Sequence, residues 1–179
     1  MPPLQVETLG DSLYWSYANL ALAHAAVSSG AAVYDRTHFM IRSRLYSGLR
    51  RGTMNTGSLV EDDRLKMILP QACSYCGERD NLSVDHLIAR AKGGPESGDN
   101  VVWACRGCNR AKGSADLLVW MRGRDEFPAL LLLRRYLKLA IDWVRTKEMV
   151  NVPLADASML FWYRGDQSSI ELRLDIRNP

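Results

Sequence analysis

Four cysteines stand in two close pairs, Cys73-Ser74-Tyr75-Cys76 and Cys105-Arg106-Gly107-Cys108. A Cys-x-x-Cys knuckle aims two thiolates at one point, and two knuckles supply the four tetrahedral ligands, at about 2.3 Å for sulfur, that structural Zn2+ takes. Each pair has a turn-forming glycine, Gly77 beside the first and Gly107 within the second. Two buried thiol pairs or a redox dithiol are the alternatives, and the doubling of the knuckle favours the metal. With all four positions filled by sulfur, such an ion holds the fold and does no chemistry. It also closes everything between the knuckles into one loop. That loop holds Asp85-His86 and Asn100, and just beyond it come Asn109, Arg110 and Lys112. An imidazole titrates near neutrality and can take a proton from water. Carboxylate and amide oxygens are hard donors, of the kind that Mg2+ or Mn2+ takes. Taken singly, an Asp-His pair is a surface or turn pair, and Asn-x-x-Lys at a helix start is a cap with a solvated charge.

Taken together, Asp85-His86, Gly98-Asp99-Asn100-Val101 and Cys108-Asn109-Arg110-Ala111-Lys112-Gly113, set in order around two cysteine knuckles, resemble the HNH endonuclease family, the ββα-metal nucleases. The signature positions are His86, Asn100 and Asn109, in the variant whose third residue is Asn. The likeness covers roughly residues 72 to 118 and says little of the flanks. It implies two antiparallel strands and a helix gripping one divalent cation, with hydrolysis of a phosphodiester to a 5′-phosphate and a 3′-hydroxyl. It assigns Asp85 to the cation and His86 to the water. By the same likeness Asn100 braces the loop carrying His86, and Asn109 supplies the second protein oxygen to the cation. Adjacent residues on a strand face opposite ways, so Asp85 and His86 reach one site only if the strand ends or bulges there. Lys112, three residues after Asn109 on a helix, shares its face and is placed to touch a phosphate, with Arg110 beside it. A zinc-stabilised nucleic-acid-binding module without catalysis is the alternative, and a zinc-built protein interaction module a third reading.

The elements that must hold these residues follow from periodicity. Short β-type runs at Leu82 to Leu87 and Val101 to Ala104 flank a Gly/Pro/Ser-rich loop, in which Gly93-Gly94-Pro95 reads as a flexible connector. Helical patterns run from Asp11 to about Gly30, from about Thr37 to Leu49, near Leu59 to Leu69, from roughly Asn109 to Arg122, and from after Pro128 to about Glu148. In the last, Arg134, Lys138, Asp142 and Arg145 form a polar stripe, with Leu133, Leu137, Ala140, Ile141 and Val144 elsewhere. The alternation Ile170, Leu172, Leu174, Ile176 suggests a strand, paired with Met159 to Tyr163. The expected fold class is α+β: a mostly helical chain with a central zinc-stabilised ββα-metal module and a C-terminal β-hairpin. Its divisions are a helical region at 1–70, the module at 71–122, and a helix and tail at 123–179.

With 179 residues, 47% of them apolar, the chain can bury about 70% of its unfolded surface, which excludes wholesale disorder. The apolar stretch Ala18 to Val27 lacks a basic start and is interrupted by His24, so neither leader nor membrane span is expected. A cytoplasmic location, where thiols stay reduced, accords with metal-binding cysteines. The formal charge of +3 decides nothing, but its distribution does. Arg36, Arg42, Arg44, Arg50 and Arg51 occur with no acid from Arg36 through Met54, and Arg90, Lys92, Arg106, Arg110 and Lys112 surround the module. The first group can pair with Glu61, Asp62 and Asp63 or contact a backbone; the second lies where phosphate contact is expected. Nucleic acid is the expected partner, DNA by the family likeness alone, and no base-reading motif is present. A regulatory protein or a second copy docked on the flanking helices is expected too, as in defence, restriction or mobile-element systems. His24 and His38 read as packing or surface residues.

Overall fold

The computed structural model describes residues 6–57 and 71–157. Among these stand six α-helices: α1 Leu9–Ser28, α2 Arg36–Arg50, α3 Arg106–Lys112, α4 Leu117–Arg122, α5 Leu130–Thr146 and α6 Leu154–Ala157. Strands β1 Leu82–His86 and β2 Val101–Cys105 make one antiparallel pair. The fold is α+β, as expected. The expected helix near Leu59 to Leu69 and the hairpin of Met159 to Tyr163 with Ile170 to Ile176 lie outside the described residues. No helix among those described is long and apolar enough to cross a membrane.

The described residues divide into two compact units, 6–57 with 140–157, and 71–139. In the first unit the Ala/Leu-rich α1 starts at Thr8, whose hydroxyl accepts the Asp11 amide at 3.1 Å. Helix α2 starts at Asp35, where a reciprocal cap forms: Asp35 Oδ1 accepts the His38 amide at 3.1 Å, and His38 Nδ1 accepts the Asp35 amide at 3.1 Å. His38 is therefore buried as a capping residue, while His24 is exposed. Between α1 and α2, Trp15 meets Tyr46 edge-on at 5.3 Å, and Arg50 reaches the nearly buried Asp11 at 2.7 Å.

In the second unit β1 and β2 pair without a bulge, Leu82 opposite Cys105 through to His86 opposite Val101. Paired residues share a face. The face of Ser83, Asp85, Val102 and Ala104 is the more buried one, whereas Val84 on the other face is 49% exposed. The single helix expected from Asn109 to Arg122 is two. It breaks at Gly113, whose φ of 51° ends α3, and restarts at Asp116. Asp116 Oδ1 accepts the amides of Leu118 and Val119 at 2.9 and 3.1 Å, and its other oxygen accepts the Tyr136 hydroxyl from α5. Burial pushes the Asp116 carboxyl up, against the pull of these donors. Leu117, Met121, Leu133 and Leu137 are buried, each worth roughly 1.5–3 kcal/mol.

Helix α5 carries its apolar residues as expected, with Leu133, Leu137, Ala140, Ile141 and Val144 all buried. Its polar stripe needs correction. Lys138 is only 2% exposed, and the neighbouring Arg135 4%, so cations lie within the packed side, while Asp142 of the same stripe is on the surface. Arg135 finds its partners in carbonyls, donating to Asp99 O at 2.5 Å and Gly98 O at 2.8 Å. Asp116→Ala removes a cap and strands the buried Tyr136 hydroxyl. We expect it to cost about 2–3 kcal/mol, seen as a lowered urea midpoint. An unchanged midpoint would show that this carboxylate does not anchor α4 to α5.

Candidate functional site

The two knuckles meet. All four cysteine sulfurs lie within 4.8 Å of one another, and Cys76 Sγ stands 3.8 Å from Cys105 Sγ. A tetrahedral zinc with bonds of about 2.3 Å has sulfur–sulfur edges of about 3.8 Å, so the donors fit that ion. Local chain geometry places them. Gly77 closes the first knuckle with its amide on Cys73 O at 2.9 Å, in a left-handed conformation (φ 78°) that favours glycine. The Ser74 amide binds Trp103 O at 2.8 Å, tying this knuckle to β2, and the second knuckle is the junction of β2 with α3. The Cys108 amide points at Cys105 Sγ at 3.4 Å. Burial opposes ionisation of the Cys73 thiol, but the donors around it prevail and bring it down to about 7. A thiol so disposed is ready to ligate a cation.

Helix α3 lies over the buried face of β1. Asn109 Nδ2 donates to Ser83 Oγ and to Val84 O, each at 3.0 Å. One turn on, Lys112 Nζ sits 3.0 Å from Asp85 Oδ2 and donates to His86 O at 2.8 Å. Asp85 Oδ2 also accepts the Tyr75 hydroxyl at 2.5 Å. Burial raises the Tyr75 hydroxyl pKa, and the neighbouring Asp85 charge raises it further, so Tyr75 stays a donor. Since the Val84 carbonyl can only accept, the Asn109 amide must turn its nitrogen to β1. Asn109 Oδ1 and Asp85 Oδ1 have no hydrogen-bond partner among the described residues. Each is a hard oxygen donor, the type that a divalent cation takes.

Asn100 is wholly buried. Its Oδ1 accepts the Ile88 amide at 2.9 Å, and its Nδ2 donates to Ile88 O and Pro95 O at 2.8 and 3.0 Å. It thus ties the chain that leaves β1 to the turn that enters β2. The Gly93-Gly94-Pro95 stretch belongs to this knot and is no mere connector. A Cβ on Gly94 would fall 1.9 Å from Ile88 O and 2.9 Å from Asn100 Nδ2. Arg135 holds the preceding Gly98–Asn100 turn from below by its two carbonyls.

The expected site residues are therefore brought together in two sets. Asp85, Asn109 and Lys112 meet at the α3 face of β1, whereas His86 is the last residue of the strand and by alternation turns away from Asp85. No bulge reverses it; the strand end is the feature that the adjacency required. Both ring nitrogens of His86 lack a hydrogen-bond partner among the described residues. Arg110 is exposed on α3. Lys112 departs from expectation: it shares a face with Asn109, but that face is the packed one, and its ammonium is buried on Asp85 rather than offered to a phosphate. Tyr75 and Arg135 escaped the sequence reading. The aromatic inside a knuckle was a signal for the first; nothing local marked the second.

Residues 73–115 match the family model described as HNH endonuclease. This segment is an HNH endonuclease domain. No curated protein and no solved structure matches the chain. The HNH domain spans both knuckles, both strands, Asn100 with its partners Ile88 and Pro95, and α3, while Arg135 lies beyond it.

Removing one member of a buried pair leaves the other charge uncompensated, at about 3–5 kcal/mol. We expect Lys112→Met to lower the stability of the chain by that order in urea denaturation. A variant of unchanged stability that bound nucleic acid more weakly would restore Lys112 to the phosphate.

Proposed function

We propose that this chain is a metal-dependent HNH endonuclease that hydrolyses phosphodiester bonds of DNA. The observation that supports it is that the HNH match coincides with a free imidazole at a strand end and with two unpartnered oxygens on the adjoining helix–strand face. In this reading the four cysteines hold a structural Zn2+. Asp85 and Asn109 would hold Mg2+ or Mn2+, which would supply positive charge to offset the negative charge that builds up in phosphodiester hydrolysis. An imidazole nitrogen of His86 takes a proton from the attacking water. The new bond is from the water oxygen to phosphorus and the bond broken is from phosphorus to the 3′-oxygen, which leaves as a hydroxyl after protonation. A positioned base of this kind supplies roughly 10² to 10⁴ in rate. Asn100 acts through the backbone, fixing Ile88 and with it the direction of His86. Tyr75 and Lys112 orient Asp85 by holding one oxygen and leaving the other. Arg110, exposed on α3, contacts an adjacent phosphate. We place the chain in the cytoplasm, as the cutting part of a defence, restriction or mobile-element system, restrained by a regulatory protein or a second copy on its flanking helices.

One observation favours a second reading, a zinc-stabilised module that binds nucleic acid without cutting it: Asp85 carries a buried ion pair and turns away from His86. A plasmid-nicking assay with added Mn2+ separates the two. We expect the chain to nick, and His86→Ala to lose at least about 10²-fold in rate while still binding the plasmid. Equal nicking by both proteins, or none by either, would defeat the assignment of His86 as base.

A further inference from the structure

Helix α2 lies outside the HNH domain, yet it carries a concentration of arginine that structure alone does not use up. From Arg36 to Met54 there is no acidic residue. At 100° per residue, Arg36, Met40, Ser43, Arg44, Ser47 and Arg51 fall within about 100° of arc. All are exposed except the half-buried Ser47. The opposite arc holds the buried His38 and Leu49. The five arginines of this stretch divide by use. Arg42 is packed, its guanidinium 4.5 Å over the Trp15 ring and 5.0 Å over Phe39, with a hydrogen bond to Asn19 Oδ1 at 3.2 Å. Arg50 is committed to Asp11 at 2.7 Å. Arg36, Arg44 and Arg51 have no ion pair and no side-chain hydrogen bond among the described residues.

These three lie along one side of the helix. The helical rise sets Arg36 and Arg44 about 12 Å apart along the axis, and Arg44 and Arg51 about 10 Å. Two serine hydroxyls lie between them. Guanidinium forks recognise phosphate oxygens bidentately, and hydroxyls add donors. A set of cations spread over more than 20 Å along one side of a helix suits a regular polyanion, and duplex DNA carries one charge per about 1.7 Å of axis. Nothing on this face supplies a base-reading pattern. We propose that the exposed face of α2 is a second nucleic-acid contact, which grips the sugar–phosphate backbone at phosphates other than the one that is cut. The inference rests on the nuclease reading of the HNH domain and gives its substrate an anchor there.

The test compares the full chain with Arg36→Gln/Arg44→Gln/Arg51→Gln, using duplex DNA without added divalent cation, across a series of salt concentrations. Each lost phosphate contact lowers the slope of log K against log salt by about 0.9, so the triple variant should lose two to three units of slope. Its affinity should fall at least tenfold at low salt. In cleavage with Mn2+ it should raise KM and leave kcat in place, with far-UV circular dichroism unchanged. Wild-type slope and affinity in the triple variant, alongside nicking that depends on His86, would overturn this inference and spare the nuclease reading. A chain that neither binds nor cuts DNA would remove both. Binding of wild type to vesicles containing anionic phosphatidylglycerol, lost in the triple variant while DNA binding is kept, would assign the face to a membrane surface and overturn the proposal.

Discussion

The HNH domain depends on the convergence of four sulfurs within 4.8 Å of one another. Its two strands are five residues each, and a hairpin of that size is marginal in water without further support. The first knuckle is fastened to β2 through Ser74, and the second is the corner where β2 turns into α3. A four-thiolate ion at this point would bind the start and the end of the module together, in effect closing a long loop at both ends. Helix α3 is then held in place over β1, and with it Asn109 and Lys112.

A chain of buried polar contacts carries this constraint toward the candidate chemistry. Tyr75, inside the first knuckle, donates to Asp85; Lys112, on the helix that begins at the second knuckle, ion-pairs with the same oxygen. The carboxylate is thus oriented from both knuckles at once. Burying such a cluster is costly unless every member is satisfied, and here the ammonium also takes the His86 carbonyl. On the other flank Asn100, Gly94 and the Arg135-clamped turn fix where the chain goes after His86.

Much of this was legible beforehand. The knuckles, both strands and the apolar side of α5 follow from spacing and residue type, because periodicity and ligand geometry are local, whereas the bracing place of Asn100 is implied by the family likeness alone. What stayed hidden was long-range. Lys112 shares a helical face with Asn109, but whether that face meets solvent or strand is decided by packing, and a lysine says nothing of the aspartate that will neutralise it. Arg135 binds carbonyls from a turn far away in sequence, and backbone acceptors leave no trace in residue identity. The break between α3 and α4 falls at Gly113 and the cap Asp116, residue types that suit a helix end and a helix start, whereas the sequence pattern reads as one helix through both.

The most direct test of the account is zinc K-edge X-ray absorption on the purified chain, with metal content determined on the same sample. The account predicts one zinc per chain in a shell of four sulfurs at about 2.3 Å. A shell containing nitrogen or oxygen ligands, or a folded chain without zinc, would contradict it.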